Sequence, residues 1–397
     1  MILRIIVPLI LFILLFNGVT ALYVYFSKLR DSNIIIRLAY SLINIVFISC
    51  FTIIVYSLLT NNSSFISPDN LTLFSFFYFL FYLPQILYIL FELFGKLIRD
   101  KTNTIAGIGL ICSISMMATM LWGHFFETKN ITIETYDISS HDIPYSFDNY
   151  KIVQFSDLHI SSFNNDTTFI AKLSNTINSL DPDLVVFTGD LVTLNSNEVS
   201  PFLGALSSIS SKDGIYAVLG NHDYSEYSRW LSDSDKEKDF NNLKNSIKAI
   251  NWRLLLDESK YLYRGNDSII LSGIENWGEP PFSAHGDLKK TFKYIKPNIN
   301  DFTILLSHNP EFWRQIVTKE NHPIDLTLSG HTHAMQMIFK FAGKLYSPSF
   351  FKYKYWGGLY SSDTNHQLIV NRGIGNVFYH MRIGAPPEIS LIRLIHQ

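Results

Sequence analysis

The chain has 397 residues, of which 47% are hydrophobic and only 17% charged, with a mean hydropathy of +0.15. That balance is too apolar for an ordinary soluble protein and excludes intrinsic disorder. Residues 1–126 hold seven Lys/Arg and four Asp/Glu, and residues 127–397 the other twenty-five and thirty, so net charges of +3 and −5 separate an apolar part from a globular one. No strongly basic surface is available to hold nucleic acid.

Four apolar runs, 3–26, 34–59, 71–94 and 105–126, are each long enough to cross about 30 Å of hydrocarbon as a helix. The first is too long for a signal peptide and lacks a small-residue cleavage site. Lys28, Arg30 and Arg37 mark the first loop and Lys96, Arg99 and Lys101 the third, whereas loop 60–70 has no basic residue. The positive-inside rule therefore puts loops one and three in the cytoplasm and everything after the fourth span outside it. The expected organisation is a transmembrane region over 1–128, integral to the cell membrane, and an extracytoplasmic globular domain over 129–397. Glu92 lies one turn before Lys96, where an i,i+4 pair explains it, and Pro84 is expected to kink the third span. A plain anchor is the simplest role for the bundle, with a lipid-binding or conducting one as the rival. Cys50 and Cys112 both fall in apolar runs and imply neither a disulfide framework nor a cysteine metal site.

In the globular part, strand-like runs alternate with helical ones, the pattern of an α/β domain. Five strands end in short polar loops. Lys151 to Phe155 runs into Ser156-Asp157-Leu158-His159, followed by a helical stretch near 168–180. Leu184 to Phe187 ends in Thr188-Gly189-Asp190, and Ile215 to Leu219 in Gly220-Asn221-His222-Asp223. Phe302 to Leu306 ends in Ser307-His308-Asn309, and Asp325 to Leu328 in Ser329-Gly330-His331-Thr332-His333. One such His or Asp alone is more often a cap or turn residue. Five strand ends carrying carboxylates, imidazoles and one amide, with no thiolate, suit two divalent ions of intermediate hardness such as Mn²⁺, Fe²⁺ or Zn²⁺. A two-metal hydrolytic site is the natural reading.

The ordered run FSDLHI, TGDL, GNHD, SHNP and GHTH resembles the calcineurin-like metallophosphoesterase family, over nearly all of residues 148–397. The tail NRGIG (Asn371 to Gly375), then Arg382 and APPEI (Ala385 to Ile389), resembles its membrane-associated bacterial branch, and the joined helices resemble transmembrane metallophosphoesterases. The resemblance implies a four-layer α/β/β/α sandwich behind the membrane region. Carried over by position, it implies one metal on Asp157, His159, Asp190 and His333 and another on Asp190, Asn221, His308 and His331, with Asp190 bridging. His222 resembles the family's substrate-facing histidine, a general acid for the leaving oxygen, with Asp223 placed to orient it. Two such ions can share a water, lower its pKa and aim the resulting hydroxide at phosphorus.

One departure is that GHTH is followed by Ala334 and Met335 before Gln336, where many members have two glycines; the larger side chains narrow the cleft. Residues 337–360 mix aromatics with Lys340, Lys344, Lys352 and Lys354. They read either as a strand with inner-face aromatics and solvated lysines, or as a lip leaning on the outer leaflet. His124, His141, His285, His322, His366, His380 and His396 are taken as surface or packing residues. Arg372 and Arg382 could contact phosphate, but pairing with carboxylates explains strand-end arginines as well. Together these features describe a membrane-anchored phosphohydrolase acting on a phosphomonoester, phosphodiester or pyrophosphate; tethering beside the bilayer favours a lipid-linked or envelope phosphate, with a soluble extracellular nucleotide as the alternative. The rival is a noncatalytic sensor or transporter whose phosphoesterase-like domain only binds a ligand.

Overall fold

A computed structural model describes residues 17–60, 68–278, 283–298, 300–320, 322–363 and 366–397. The chain divides into two compact units, 1–122 and 123–397. Three long helices are α1 (Ile34–Thr60), α2 (Pro68–Leu97) and α3 (Thr104–Phe125). Each contains a stretch long and apolar enough to cross a membrane, Ile34–Tyr56, Asn70–Leu97 and Thr104–Lys129. The expected first span, 3–26, lies mostly outside the described residues. From it, 17–24 are helical and Tyr25–Leu29 form a π turn. Glu92 is paired by both Lys28 at 2.9 Å and Lys96 at 2.8 Å, so the charge in α2 has ordinary ionic partners.

The second unit is built on two six-stranded mixed sheets. In chain order the elements are β1 (Thr132–Ser140), β2 (Tyr150–Phe155), α4 (Thr167–Ser179), β3 (Leu184–Phe187), β4 (Ile215–Ala217), α5 (Asp233–Ala249) and β5 (Trp252–Leu254). There follow β6 (Glu258–Arg264), β7 (Asp267–Gly273), β8 (Thr303–Leu306), β9 (Leu326–Ser329), a hairpin β10 (Phe339–Phe341) and β11 (Lys344–Tyr346), β12 (Gly358–Ser361), β13 (Gln367–Val370) and β14 (Glu388–His396). The first sheet has the order β1-β14-β2-β3-β4-β5 and the second β12-β13-β9-β8-β7-β6, while β10 and β11 pair only with each other.

Period-2 alternation sorts the strands' apolar residues into layers. In β2 and β3, Ile152, Leu184 and Val186 point into a core shared with Leu271, Ile304, Leu306, Leu328 and Ile369 of the second sheet. The intervening Val153, Phe155, Val185 and Phe187 point the other way, onto the stripe Phe169, Ile170, Leu173 and Ile177 of α4 and Leu243 and Ile247 of α5. Leu305, Leu368 and Val370 cover the far face of the second sheet with Phe312, Trp313 and Val317. These strands are apolar on both faces because both faces are covered, as central strands of a parallel run are. Asp166 caps α4 by accepting from the Thr168 amide at 3.0 Å, and Ser232 caps α5 by accepting from Asp235 at 3.2 Å.

The register aligns the polar ends. β2, β3 and β4 run parallel, as do β8, β9 and β13, so the loops after five of these strands open at one end of the sandwich. At that end Gln154 crosses between the sheets, donating to Thr188 Oγ1 at 3.2 Å and to the Ser329 carbonyl at 2.9 Å. The carboxyl ends of parallel strands are where open α/β sheets place their ligands.

Candidate metal centre

The loops at this end bring all seven sequence-assigned donor residues together. Asp157, His159 and His333 offer donor atoms lying within 4.8 Å of one another, and so do Asp190, His308 and His331. Asp190 links the groups, with Oδ2 3.5 Å from His159 Nε2 and 3.2 Å from His308 Nε2. His333 Nε2 lies 3.2 Å from Asp157 Oδ1, and Asn221 Oδ1 and His331 Nδ1 each lie 3.2 Å from His308 Nε2. His222 also falls within donor distance of His159 and Asp190.

The backbone forms this cluster at a steric cost. Asp157, His159, Asp190, His331 and His333 all have positive φ, from 38° to 74°. Non-glycine residues occupy that region rarely, and clusters of them mark sites where surrounding contacts impose the conformation. Here the Asp157 amide donates to the Gly189 carbonyl at 2.8 Å and the His159 amide to the Asp190 carbonyl at 3.1 Å. Gly375 donates to the Asp157 carbonyl at 2.8 Å, and the His331 amide to both Asp157 oxygens at 3.0 Å. Gly189 sits where a Cβ would press on the Gly220 amide at 2.5 Å and on His308 Nδ1 at 2.8 Å, so two site loops meet only because that position lacks a side chain.

The electrostatics suit a cation. Burial alone would raise both carboxyl groups, yet His333 beside Asp157 and His308 beside Asp190 hold each well below the usual carboxylate range. Burial lowers His159 and takes His331 down to about 3, so both rings are neutral with lone pairs available. Burial also opposes charge on His308, but the Asp190 carboxylate overrides it and raises the ring to about 9. His159 Nε2, 3.5 Å from Asp190 Oδ2, is buried with no hydrogen-bond partner among the described residues. A buried nitrogen without a partner is costly unless something binds it, so the donor set fits divalent ions.

His222 is fixed differently from the sequence reading. Its Nδ1 lies 2.8 Å from the Thr193 carbonyl, and its ring stacks on Tyr227 with centroids 4.2 Å apart. Asp223 does not reach it. That buried carboxylate accepts the amides of Gly220 and Asp190 on Oδ2 and of Leu191 and Val192 on Oδ1, at 2.9 to 3.2 Å. The role of orienting His222 therefore passes to Thr193, and Asp223 organises the loop that presents Asp190. Burial, with the Asp190 charge, raises Asp223 to about 7 against the pull of the amides.

Several contributors carry no motif. Tyr227 accepts from Asn221 Nδ2 at 2.9 Å, and Tyr353 meets His331 Nε2 at 2.9 Å. Glu198 accepts the amides of Thr193, Leu194 and Asn195 at 2.7, 2.7 and 3.1 Å, which shapes the loop holding His222. Arg372 is paired with Glu388 and, at 2.7 Å, with Glu134, the structural role weighed for it. Arg382 is fully buried with carbonyl partners: it donates to Ala385 at 2.8 Å and to Gly375 at 2.5 Å, bracing the loop against Asp157. Ala334 and Met335 keep glycine-like conformations, φ 50° and 44°, although they carry side chains.

A family model for the calcineurin-like phosphoesterase matches residues 150–335. The metallophosphoesterase YkuE of Bacillus subtilis is 31% identical over 308 residues, covering 76% of this chain and 94% of its own. The UDP-2,3-diacylglucosamine pyrophosphatase LpxG of Chlamydia muridarum is 28% identical, over 70% of this chain and 94% of that one. The transmembrane protein with metallophosphoesterase domain of Bos taurus is 28% identical, over 74% of this chain and 64% of that one. The chain belongs to the calcineurin-like phosphoesterase family and is a phosphoester hydrolase with a metal-binding centre and an apolar, membrane-associated helical region.

Proposed function

We propose that this family member is a multi-pass phosphohydrolase using two divalent ions, Mn, Fe or Zn, on a lipid-linked or envelope phosphoester or pyrophosphate. One ion would sit on Asp157, His159, Asp190 and His333 and the other on Asp190, Asn221, His308 and His331. The observation that carries the reading is Asp190, whose single carboxylate faces donors of both groups within 3.5 Å. When bound, such ions neutralise phosphoryl oxygens and lower the pKa of a water.

The chain's own residues supply the rest. A carbonyl only accepts, so Thr193 keeps a proton on His222 Nδ1; with the ring protonated on both nitrogens, Nε2 gives its proton to the leaving oxygen and the ring is left neutral with Nδ1–H still held by Thr193. Tyr227 holds the plane of that ring and, by occupying Asn221 Nδ2, turns Asn221 Oδ1 toward the donor cluster. The basic loops around residues 28–37 and 96–101 support a domain outside the cytoplasm. The relative LpxG is named for a substrate that carries two acyl groups on a nucleotide sugar pyrophosphate, which supports a lipid-linked phosphate here.

The test is metal analysis of the purified full chain together with turnover of bis(p-nitrophenyl) phosphate. About two ions per chain, with turnover lost in Asp190→Ala, is the expected result. Bound ions without turnover of any ester would favour the ligand-binding module instead.

A further inference from the structure

Among the described residues of its unit, none covers the hairpin after the last site loop. Phe339 pairs with Tyr346, Lys340 with Leu345 and Phe341 with Lys344, across an Ala342-Gly343 turn in which both residues have positive φ. Opposed residues share a face, so Phe339, Phe341, Tyr346 and Lys344 form one face and Lys340 and Leu345 the other. All six are exposed, so the inner-face reading fails for the hairpin, whereas further along the segment Tyr353 is buried and Tyr355 and Tyr360 pack against a core. The next turn adds Phe350 and Phe351, the latter 93% exposed. A two-stranded hairpin is marginal in water by itself, and an apolar patch of this kind marks a surface that something covers.

Charge and position say what covers it. From 326 to 362 the chain has no Asp or Glu, while Lys340, Lys344, Lys352 and Lys354 are all exposed. The segment is stitched to the metal centre: Ser347 Oγ donates to the Ala334 carbonyl at 2.6 Å, and Tyr353 meets His331. At its other end, Ile338 donates to the Ile383 carbonyl at 2.7 Å, and the preceding Arg382 donates to the Gly123 carbonyl at 3.3 Å. Gly123 lies within the apolar span Thr104–Lys129. Gly123 is also the first residue of this unit, so the base of the hairpin lies near the point where the chain enters it from the apolar helices.

From this we infer that hairpin 339–346 and the Phe350-Phe351 turn insert into the interface of an anionic leaflet, phenyl rings among acyl chains and lysines at lipid phosphates. They form the rim over which a lipid-borne phosphate reaches the metal centre. The surface stands on its own geometry; the delivery role rests on the hydrolase reading above.

The test uses the full chain with Cys50→Ser and Cys112→Ser, reconstituted in vesicles of phosphatidylcholine and phosphatidylglycerol. An environment-sensitive fluorophore is placed at Phe341→Cys or Phe351→Cys, with the exposed Tyr263→Cys and Tyr294→Cys as controls. Expected is quenching by acyl-chain-labelled lipid at 341 and 351 and not at the controls. Changing the four lysines to Glu should lower the inserted fraction, by about fivefold per charge at an anionic surface. Equal quenching at all four sites overturns the proposal, as does a blue-shifted but unquenched probe, which would mean a second copy or another protein covers the patch. Phe341→Asp with Phe351→Asp should slow hydrolysis of a vesicle-borne phosphate ester and leave bis(p-nitrophenyl) phosphate turnover unchanged. Unchanged turnover of both overturns delivery. A wild type that hydrolyses neither ester removes the hydrolase reading and delivery together, and the quenching pattern still decides the surface.

Discussion

Replacing Asp223 by Asn keeps its size and removes half of what it does. Each carboxylate oxygen accepts two backbone amides, Gly220 and Asp190 on one and Leu191 and Val192 on the other. An Asn side chain turns one oxygen into a donor, so two buried amides lose their acceptor and face an N–H instead. At about 1–3 kcal/mol for each unsatisfied buried group, the loss is on the order of 4 kcal/mol. That corresponds to roughly 10 °C in Tm for a unit of this size. Hydrogen exchange of the full chain, followed by mass spectrometry, should show faster exchange in the peptides spanning 190–192 and 220 while β2 and β8 stay protected. The pH dependence adds a second readout. Burial and the Asp190 charge raise Asp223 to about 7, above an unfolded value of about 3.9. The group therefore takes up a proton on folding in that window, and the ion-free protein loses stability as pH rises from about 4 through 7. The Asn variant should lack that slope, and a divalent ion, by neutralising Asp190, should reduce it in the wild type. An Asn variant with unchanged Tm and protected amides would refute the organising role assigned to Asp223.

Three further outcomes are expected. His222→Gln should lower turnover about 10²- to 10⁴-fold for alkyl phosphoesters, and less for nitrophenyl esters, whose leaving group needs little protonation; ion content measured alongside should not change. His308, raised to about 9, must lose its proton before Nε2 can take an ion, so apparent affinity should fall on the order of tenfold per pH unit below 9. Because its folded value is raised, its contribution to ion-free stability is complete below about 6.5 and lost as pH rises through 9. Chelator competition across pH 6 to 10 measures the affinity, and a flat profile would contradict the assignment. Met335→Gly should stabilise by about 1 kcal/mol, because Met335 holds a left-handed conformation, φ 44°, with a partly exposed side chain. A lower Tm in that variant would show that its side chain contributes more than its backbone costs.

The parts legible in the sequence are those where residue type alone states the requirement. β3 is apolar on four successive residues because both its faces are covered, and it was readable as Leu184–Phe187 for that reason. The residues that cluster at the end of the sandwich are legible because five strand ends repeat one chemistry. Partners acting through backbone atoms left no such trace. Thr193 holds His222 with its carbonyl, a group every residue has. Glu198 acts on amides up to five positions earlier in a loop whose shape no periodicity encodes. Asp223 adjoins His222 in sequence, which suggests a side-chain pair, but both its oxygens are taken by the backbone amides of residues 190–192 and 220, while His222 Nδ1 meets the Thr193 carbonyl. The hairpin at 339–346 was ambiguous because alternation records which residues share a face, not whether anything lies against it.

The distribution of strain explains why so much of the site is held by amides. Five donor residues sit at positive φ, each in a conformation a free chain would leave, and each is next to a backbone hydrogen bond or a carboxylate contact that prevents it. The same contacts hold the Asp157 and Asp190 carboxylates ionised near each other, with His333 beside the first and His308 beside the second. A fold arranged this way is least comfortable without cations, because both the strain and the repulsion persist while nothing occupies the donors. Divalent ions are therefore expected to raise stability, besides the chemistry proposed for them. Ion removal should unfold or loosen the loops at 157–159, 190 and 331–333 before it affects the two sheets. A sandwich that exchanges uniformly with and without ions would mean the strain is absorbed elsewhere in the fold.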